Sequence, residues 1–233
     1  YQYRRNMMNF DAAIWSNEDE HGDWMVEFVP CKKGPDFSEK KSQDLTERWN
    51  KKIDAEGFDI LMAVSLVPVS PNEDYDMLWQ QEFWTKDRDN FWRDWKENHE
   101  IKWNEENSSI LHCDTDNILD FKASLRGKIL PFDENGYYQE FRHCNYKEGC
   151  SSSDLLAFEE GYQKEIKQLG IMGPSLSALF RPISEHKKST YDFVWHQCFN
   201  TLENQKSCSR ILDTGMSNFV TFDSASHTGW RIR

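Results

Sequence analysis

The residues of this chain able to do chemistry come in matched pairs. Glu27-Phe28, within Trp24-Met25-Val26-Glu27-Phe28-Val29, is echoed by Glu140-Phe141 within Tyr138-Gln139-Glu140-Phe141-Arg142. Asp76…Trp79 returns as Asp192…Trp195, with Gln80 and Glu82 following the first and His196 the second. A carboxylate beside a histidine raises the imidazole pKa towards the range useful for proton transfer. His196, Glu140 and Arg142 are therefore the candidate catalytic set. Glu27, Asp76, Gln80, Glu82 and Asp192 are the candidate substrate-binding set. The chemistry expected of them is acid–base work without a cofactor, as in a lyase, isomerase or cyclase. The alternative is that Glu27 and Glu140 form structural ion pairs with Arg142 or Arg181, which fix geometry more than they add stability.

Other chemistries lack their motifs. The chain has no Gly-rich phosphate loop, HExxH or CxxC pair, so nucleotide and structural zinc readings have no support. It has no GxSxG either, the signature of a serine nucleophile elbow. Asp114-Thr115-Asp116-Asn117 resembles part of a calcium loop but lacks the Gly and distal Glu of an EF-hand, and reads as a polar turn. A single axial histidine would suffice for haem, which stays open. The net charge of −12 over 233 residues argues against nucleic acid as a partner. No apolar run reaches the length of a membrane-spanning helix. A small-molecule ligand is the expected partner, and a homo-oligomer is an allowed assembly.

The elements that must position these residues occur twice. Val67-Pro68-Val69-Ser70 returns as Arg181-Pro182-Ile183-Ser184, and Asn117…Ser124 returns as Asn218…Ala225, in the same order as the first two blocks. In the first copy, strand-like alternation runs over Asp23–Cys31. A helical stripe of Leu45, Trp49 and Ile53 follows, with Gly57 as its stop. Strands are predicted over Ile60–Val67, Asp74–Trp84 and Ile118–Ser124, with a helix capped by Thr85 carrying Phe91, Trp92 and Trp95. The second copy gives strand Tyr137–Cys144, helix Ser153–Leu169 ending at Gly170, strands Ser177–Arg181 and Tyr191–Phe199, a short helix after Thr201, and strand Asn218–Ser224. The order is βαββαβ in each copy, the ferredoxin-like split βαβ unit. Gly127, Pro131 and Gly136 punctuate the junction, giving domains 1–127 and 128–233. Ten Trp, fifteen Phe and eight Tyr are enough aromatic area for two such cores. Trp92, Trp95 and Trp103 read as a core-facing stripe, or alternatively as a pocket lid or subunit anchor.

With Glu27-Phe28, Glu140-Phe141, Asp76…Trp79, Asp192…Trp195, Pro68 and Pro182 as the carrying residues, the chain resembles the dimeric α/β-barrel superfamily. Its NIPSNAP-like and stress-responsive branches are the nearest. The resemblance implies an α+β fold of two tandem ferredoxin-like domains packed sheet to sheet as a pseudo-dimeric barrel, with a pocket between the sheets. Side chains alternate faces along a strand. The aromatic positions (Trp24, Val26, Phe28; Tyr137, Gln139, Phe141; Tyr75, Met77, Trp79; Tyr191, Phe193, Trp195) should then pack under the helices. The polar set (Glu27, Asp76, Gln80, Glu82, Glu140, Arg142, Asp192, His196) should line the pocket between the domains. His143 falls on the opposite face and is a weaker candidate. The competing function is a non-catalytic binding or assembly protein whose inter-sheet polar residues are structural.

In a split βαβ unit the first and fourth strands are antiparallel neighbours, which suggests disulfides Cys31–Cys113 and Cys144–Cys208, leaving Cys150 and Cys198. The alternative is six reduced thiols in a cytosolic protein. The start at Tyr1 without Met tips the expectation towards a secreted or periplasmic chain.

Overall fold

The computed structural model of the chain describes residues 24–127, 129–183 and 191–233. Lys128, at the expected domain junction, and Ser184, in the second matched block, lie outside the described residues. The strands are β1 (Trp24–Lys33), β2 (Met62–Pro68), β3 (Met77–Trp84), β4 (Leu111–Cys113), β5 (Leu119–Leu125), β6 (Tyr137–Tyr146), β7 (Leu176–Pro182), β8 (Phe193–Phe199) and β9 (Val220–Arg231). The helices are α1 (Glu39–Glu56), α2 (Thr85–Asn98), α3 (Glu100–Asn107), α4 (Ser152–Leu169) and α5 (Leu202–Met216). Hydrogen-bonded order is β3-β2-β9-β6-β8-β7-β5-β1, and β1 pairs with β3 to close the ring. The sheets of the two halves do more than face each other: β2–β9 and β5–β7 join them into one antiparallel barrel. Closure removes the sheet edges that would otherwise be open to aggregation. No helix among the described residues is long and apolar enough to cross a membrane.

Local chemistry sets the helix ends. The Ser38 hydroxyl accepts from the Lys41 N–H to start α1, and Gly57 at φ +68° stops it in the left-handed conformation glycine tolerates. Ser151 and Asp154 form a reciprocal capping box on α4, and Thr201 caps α5. Thr85 does not cap α2 as expected; it is the first helical residue, after Trp84.

The hydrophobic core divides into three layers. Trp24, Val26, Phe28, Phe121, Phe141 and Phe180 meet inside the barrel, with Phe28 edge-on to Phe141 at 5.2 Å between ring centres. Leu45, Trp49 and Ile53 of α1 pack on Met77 and Trp79 outside the first half. Leu155, Tyr162 and Ile166 of α4 with Leu212 and Met216 of α5 pack on Phe193 and Trp195 outside the second. Met77, Trp79, Phe193 and Trp195 thus lie under the helices, as alternation predicts, whereas Tyr75 packs on the barrel interior and bonds His227. The aromatic positions of β1 and β6 do not lie under the helices; they fill the barrel.

Cys31 and Cys113 are bonded, with Cα atoms 4.0 Å apart, tying β4 to β1 across a separation of 82 residues. The second expected bond is absent: Cys144 and Cys208 are both free and buried. Among the described residues the second half has no counterpart of β4, and Cys208 sits within α5, beside Asn204. Across the ladder Cys144 faces Phe193 and Phe222.

Candidate functional site

Register explains where each expected site residue lands. Val26 lies opposite Glu82 and Phe28 opposite Gln80 on the β1–β3 ladder, so Gln80 and Glu82 share the barrel interior with the aromatics of β1. Glu27 is opposite Gln81 and points outward. Phe141 is opposite His196 on β6–β8, so His196 faces inward while Glu140 and Arg142 face the helices. The polar residues of first and third strands are out of step by one position, and a one-residue step reverses the face. The expected cluster of His196, Glu140 and Arg142 is therefore split across the sheet.

Inside the barrel, His196 stacks on Phe180 at 4.8 Å and on Phe141 at 5.1 Å. Two further histidines share that interior. His143, expected on the opposite face, is tilted against Phe141, and His227 lies edge-on to it at 5.3 Å. Sequence reasoning missed His227 because β9 continues past Ser224, where the predicted strand ended. Burial, reinforced by the neighbouring His227, pushes His196 down to about 3. Burial and His143 push His227 down to about 4. All three imidazoles are neutral near pH 7, opposite to the carboxylate-raised pKa expected for His196. Gln139 donates to Gln80 at 2.8 Å, Trp24 to Glu82 at 3.0 Å, and Tyr75 pairs with His227 at 2.9 Å. The cavity beside His196, Gln80, Glu82 and Gln139 is about 20 Å³, room for a single water. The expected polar pocket between the sheets is a packed core.

Asp76 and Asp192 stand at neither cavity. Each accepts a backbone N–H at 2.8 Å, from Lys33 and Tyr146 respectively, and pins the approach to β3 or β8. Glu140 and Arg142 form an ion pair under α5. Arg142 also reaches Asp213 at 2.9 Å, and Glu140 accepts from Gln205 at 2.9 Å and from Ser209. Arg142 is only 1% exposed, so the ion pair with Glu140 is closed off from solvent.

The site with room lies outside the barrel, between the first-half sheet and helices α2 and α3. A cavity of about 50 Å³ is walled by Trp49, Trp79, Trp92, Trp95 and Trp103, with Gln81, Asn104 and Thr115 as polar members. Trp79 is buried and its indole N–H has no partner among the described residues. Trp92 and Trp103 are half-exposed at the wall, which favours the lid reading of these indoles over the plain core stripe. Behind the wall sits Glu27. It accepts from the Trp92 indole at 2.6 Å and the Gln81 amide at 3.3 Å, both of which line the cavity. Arg88 reaches Glu27 at 3.2 Å and also pairs with Asp120, the residue opposite Glu27 on β5. Burial and the adjacent Asp120 carboxyl hold the Glu27 pKa well above the usual range, against the opposing pull of Arg88 and Trp92. A carboxyl so placed keeps a proton at pH values where exposed glutamates have lost theirs. Sequence alternation identified Glu27 but not its partners. Arg88 and Trp92 lie on a helix, and Asp120 enters only through the β1–β5 register.

No protein-family model matches the chain, and no curated protein is matched by sequence. Solved structures do match in fold. A chlorite dismutase variant from Candidatus Nitrospira defluvii in complex with cyanide superimposes with a TM-score of 0.60 at 11% identity, covering 95% of this chain and 96% of that one. An anthrone oxidase-like protein gives 0.55 at 10% identity, with 93% of each chain covered. A monooxygenase-like protein from Fusobacterium nucleatum gives 0.51 at 9% identity, covering 91% and 93%. The chain has the dimeric α/β-barrel fold that the sequence resemblance implied.

These neighbours correct the expectation that no cofactor is involved, because the chlorite dismutase-like proteins of this fold bind haem. The residues present here do not fit that group at either cavity. The cavity under α2 and α3 has no histidine in its wall, and its one cysteine, Cys113, is in the disulfide. His196 lines the barrel cavity, whose 20 Å³ is far too small for a porphyrin. His21 and His186 lie outside the described residues.

Proposed function

We propose that the chain binds a small, flat, largely apolar molecule bearing a hydrogen-bond-accepting oxygen, in the cavity between the first-half sheet and helices α2 and α3. The observation that carries this reading is the Trp79 N–H, unpartnered among the described residues, on a wall built largely of aromatic and aliphatic surface. A buried donor without an acceptor costs free energy, and a ligand oxygen would recover it. Indole faces suit a planar partner. Glu27 is the proton-holding group of the site, one hydrogen bond behind Trp92 and Gln81. Two fold neighbours, named for monooxygenase-like and anthrone oxidase-like proteins, support a ligand of this class, since anthrone is a planar ketone. The disulfide supports action in an oxidising compartment.

The test is calorimetric titration with phenol, 1,4-naphthoquinone and anthrone, a series of increasing size. Saturable one-site binding of at least one is expected, weakened about five-fold by Trp79→Phe, the worth of one neutral hydrogen bond. Absence of saturable binding across the series, or binding that Trp79→Phe and Trp103→Ala both leave untouched, would overturn the assignment.

A further inference from the structure

A second set of ligating side chains lies away from that cavity. Glu56, Asp94 and His99 each offer one donor atom, and the three atoms lie within 4.8 Å of one another. The His99 Nε2 is 3.8 Å from a Glu56 oxygen and 3.7 Å from an Asp94 oxygen. A tetrahedral ion with bonds of about 2.1 Å would need ligand separations of about 3.4 Å. The three donors are within a few tenths of an ångström of that spacing along both edges to His99.

Their surroundings hold them ready. The His99 ring packs between Phe58 and Trp95, at 5.9 Å from each, and its side chain is only 12% exposed. The other oxygen of Asp94 accepts from the Asn98 amide, the kind of outer contact that orients a ligand carboxylate. Charge supplies an independent argument. Glu56 is the last residue of α1, whose final turn has no basic residue, and Asp94 lies one turn from the end of α2. Both carboxylates thus sit towards the negative ends of helix dipoles, where a cation is favoured and an anion is not. Among the described residues, neither carboxylate pairs with a Lys or Arg.

We infer that Glu56, Asp94 and His99 form a site for a divalent transition cation of the zinc class, with solvent completing the tetrahedron. One nitrogen and two carboxylate oxygens suit Zn²⁺ better than the all-oxygen preference of Ca²⁺ or Mg²⁺. The ion would clamp the end of α1 to the α2–α3 bend. His99 is that bend: it closes α2 and opens α3 with φ −130° and ψ −34°. Trp92 and Trp95 precede it, Trp103 and Asn104 follow it, and all four line the cavity. Ion binding is therefore expected to alter tryptophan fluorescence, yet the site stands on its own donors and does not depend on what the cavity takes.

The experiment is titration of chelator-stripped protein with Zn²⁺ by calorimetry, and with Co²⁺ followed by visible absorption. Expected are one site with a Kd near or below about 10 µM and the intense bands of four-coordinate Co²⁺. His99→Phe, which keeps the aromatic packing, and Glu56→Gln, at an exposed position, should each weaken Zn²⁺ about ten-fold or more. His112→Gln, also on an exposed residue, should leave binding unchanged. If the protein takes up no Zn²⁺, or takes it up equally well in the His99 and Glu56 variants, the assignment is overturned and any uptake belongs to groups such as the half-buried Cys150.

Discussion

The two halves of the barrel place a glutamate at the same point of their first strand and surround it differently. Glu27 meets Arg88 and Trp92 from α2, and Asp120 across the ladder. Glu140 meets Gln205 and Ser209 from α5, and Ser226 across the ladder. Its guanidinium, Arg142, comes from its own strand. In the first half Trp92, together with Trp103, Asn104 and Leu111 of the extra segment α3–β4, walls a cavity beside Trp79. In the second half Phe158 and Tyr162 close over Trp195, which stands where Trp79 stands. One backbone frame thus holds a cavity on one side and a closed core on the other, according to the helix residues laid upon it.

Substituting the two arginines should give the largest contrast. Arg142→Ala removes a fully buried guanidinium and leaves Glu140 without its ion partner, at an expected cost of about 3–5 kcal/mol. Arg88→Ala should cost roughly 1–2 kcal/mol, because Arg88 is 20% exposed and Glu27 can hold a proton instead. Urea denaturation of both variants measures the difference. Equal costs would mean that the two glutamates are held in the same way.

The disulfide gives the next contrast, since it ties down the first half alone. Replacing Cys31 and Cys113 together by Ser frees a span of 82 residues, worth about 4 kcal/mol in the chain-entropy treatment and commonly less when measured. Replacing Cys144 and Cys208 by Ala should cost only lost packing, roughly 1–2 kcal/mol. Thiol titration of denatured, unreduced protein should find the four free cysteines at positions 144, 150, 198 and 208. Six would remove the bond from the argument.

The barrel interior predicts an acid sensitivity shared by both halves. An unfolded histidine titrates near pH 6.5, whereas folded His227 and His196 stay neutral down to about 4 and about 3. Between those values the unfolded chain binds more protons. Stability should fall as pH drops below about 6.5, by at most about 1.4 kcal/mol per pH unit for each histidine. Glu27 acts in the opposite sense: its raised folded pKa contributes stability at low pH that is lost as pH rises through that value. Urea midpoints at intervals from pH 7.5 to 4.5 should show the histidine slope, reduced in His227→Gln. A slope unchanged by that substitution would mean His227 does not stay neutral in the fold.

Much of this architecture is legible in the sequence. Ser38 and Gly57 bound α1, the stripe Leu45–Trp49–Ile53 gives its buried face, and the echo of Asp76…Trp79 in Asp192…Trp195 marks matching strands. The face of β1 and β6 is not legible. Each is buried on both sides, between the barrel core and the helices, so alternation of polar and apolar residues does not say which side is which. The site was reachable only in part for the same reason. Glu27 stands out as a carboxylate in an apolar strand, but the register that sends it towards α2 is a property of strand pairing. His227 lies beyond the apparent end of its strand, in a Ser- and Thr-rich run that carries little strand signal.

The smallest effect is the most specific to the comparison. Trp92 donates to Glu27 and so favours its charged form. Trp92→Phe removes that donor while retaining an aromatic ring. Part of its cost is lost packing and does not vary with pH. The remainder, about 1–2 kcal/mol for a hydrogen bond to a charged group, exists only where Glu27 is ionised. The stability difference between the parent chain and Trp92→Phe should therefore be larger at high pH and shrink on acidification as Glu27 takes up its proton in both. At the matched position of the second half, Ser209→Ala provides the reference from a closed core. Urea midpoints for the parent and Trp92→Phe across the same pH series decide the matter. A Trp92→Phe difference constant with pH would show that Glu27 does not change charge there, and with it would go the proton-holding role assigned to the first half.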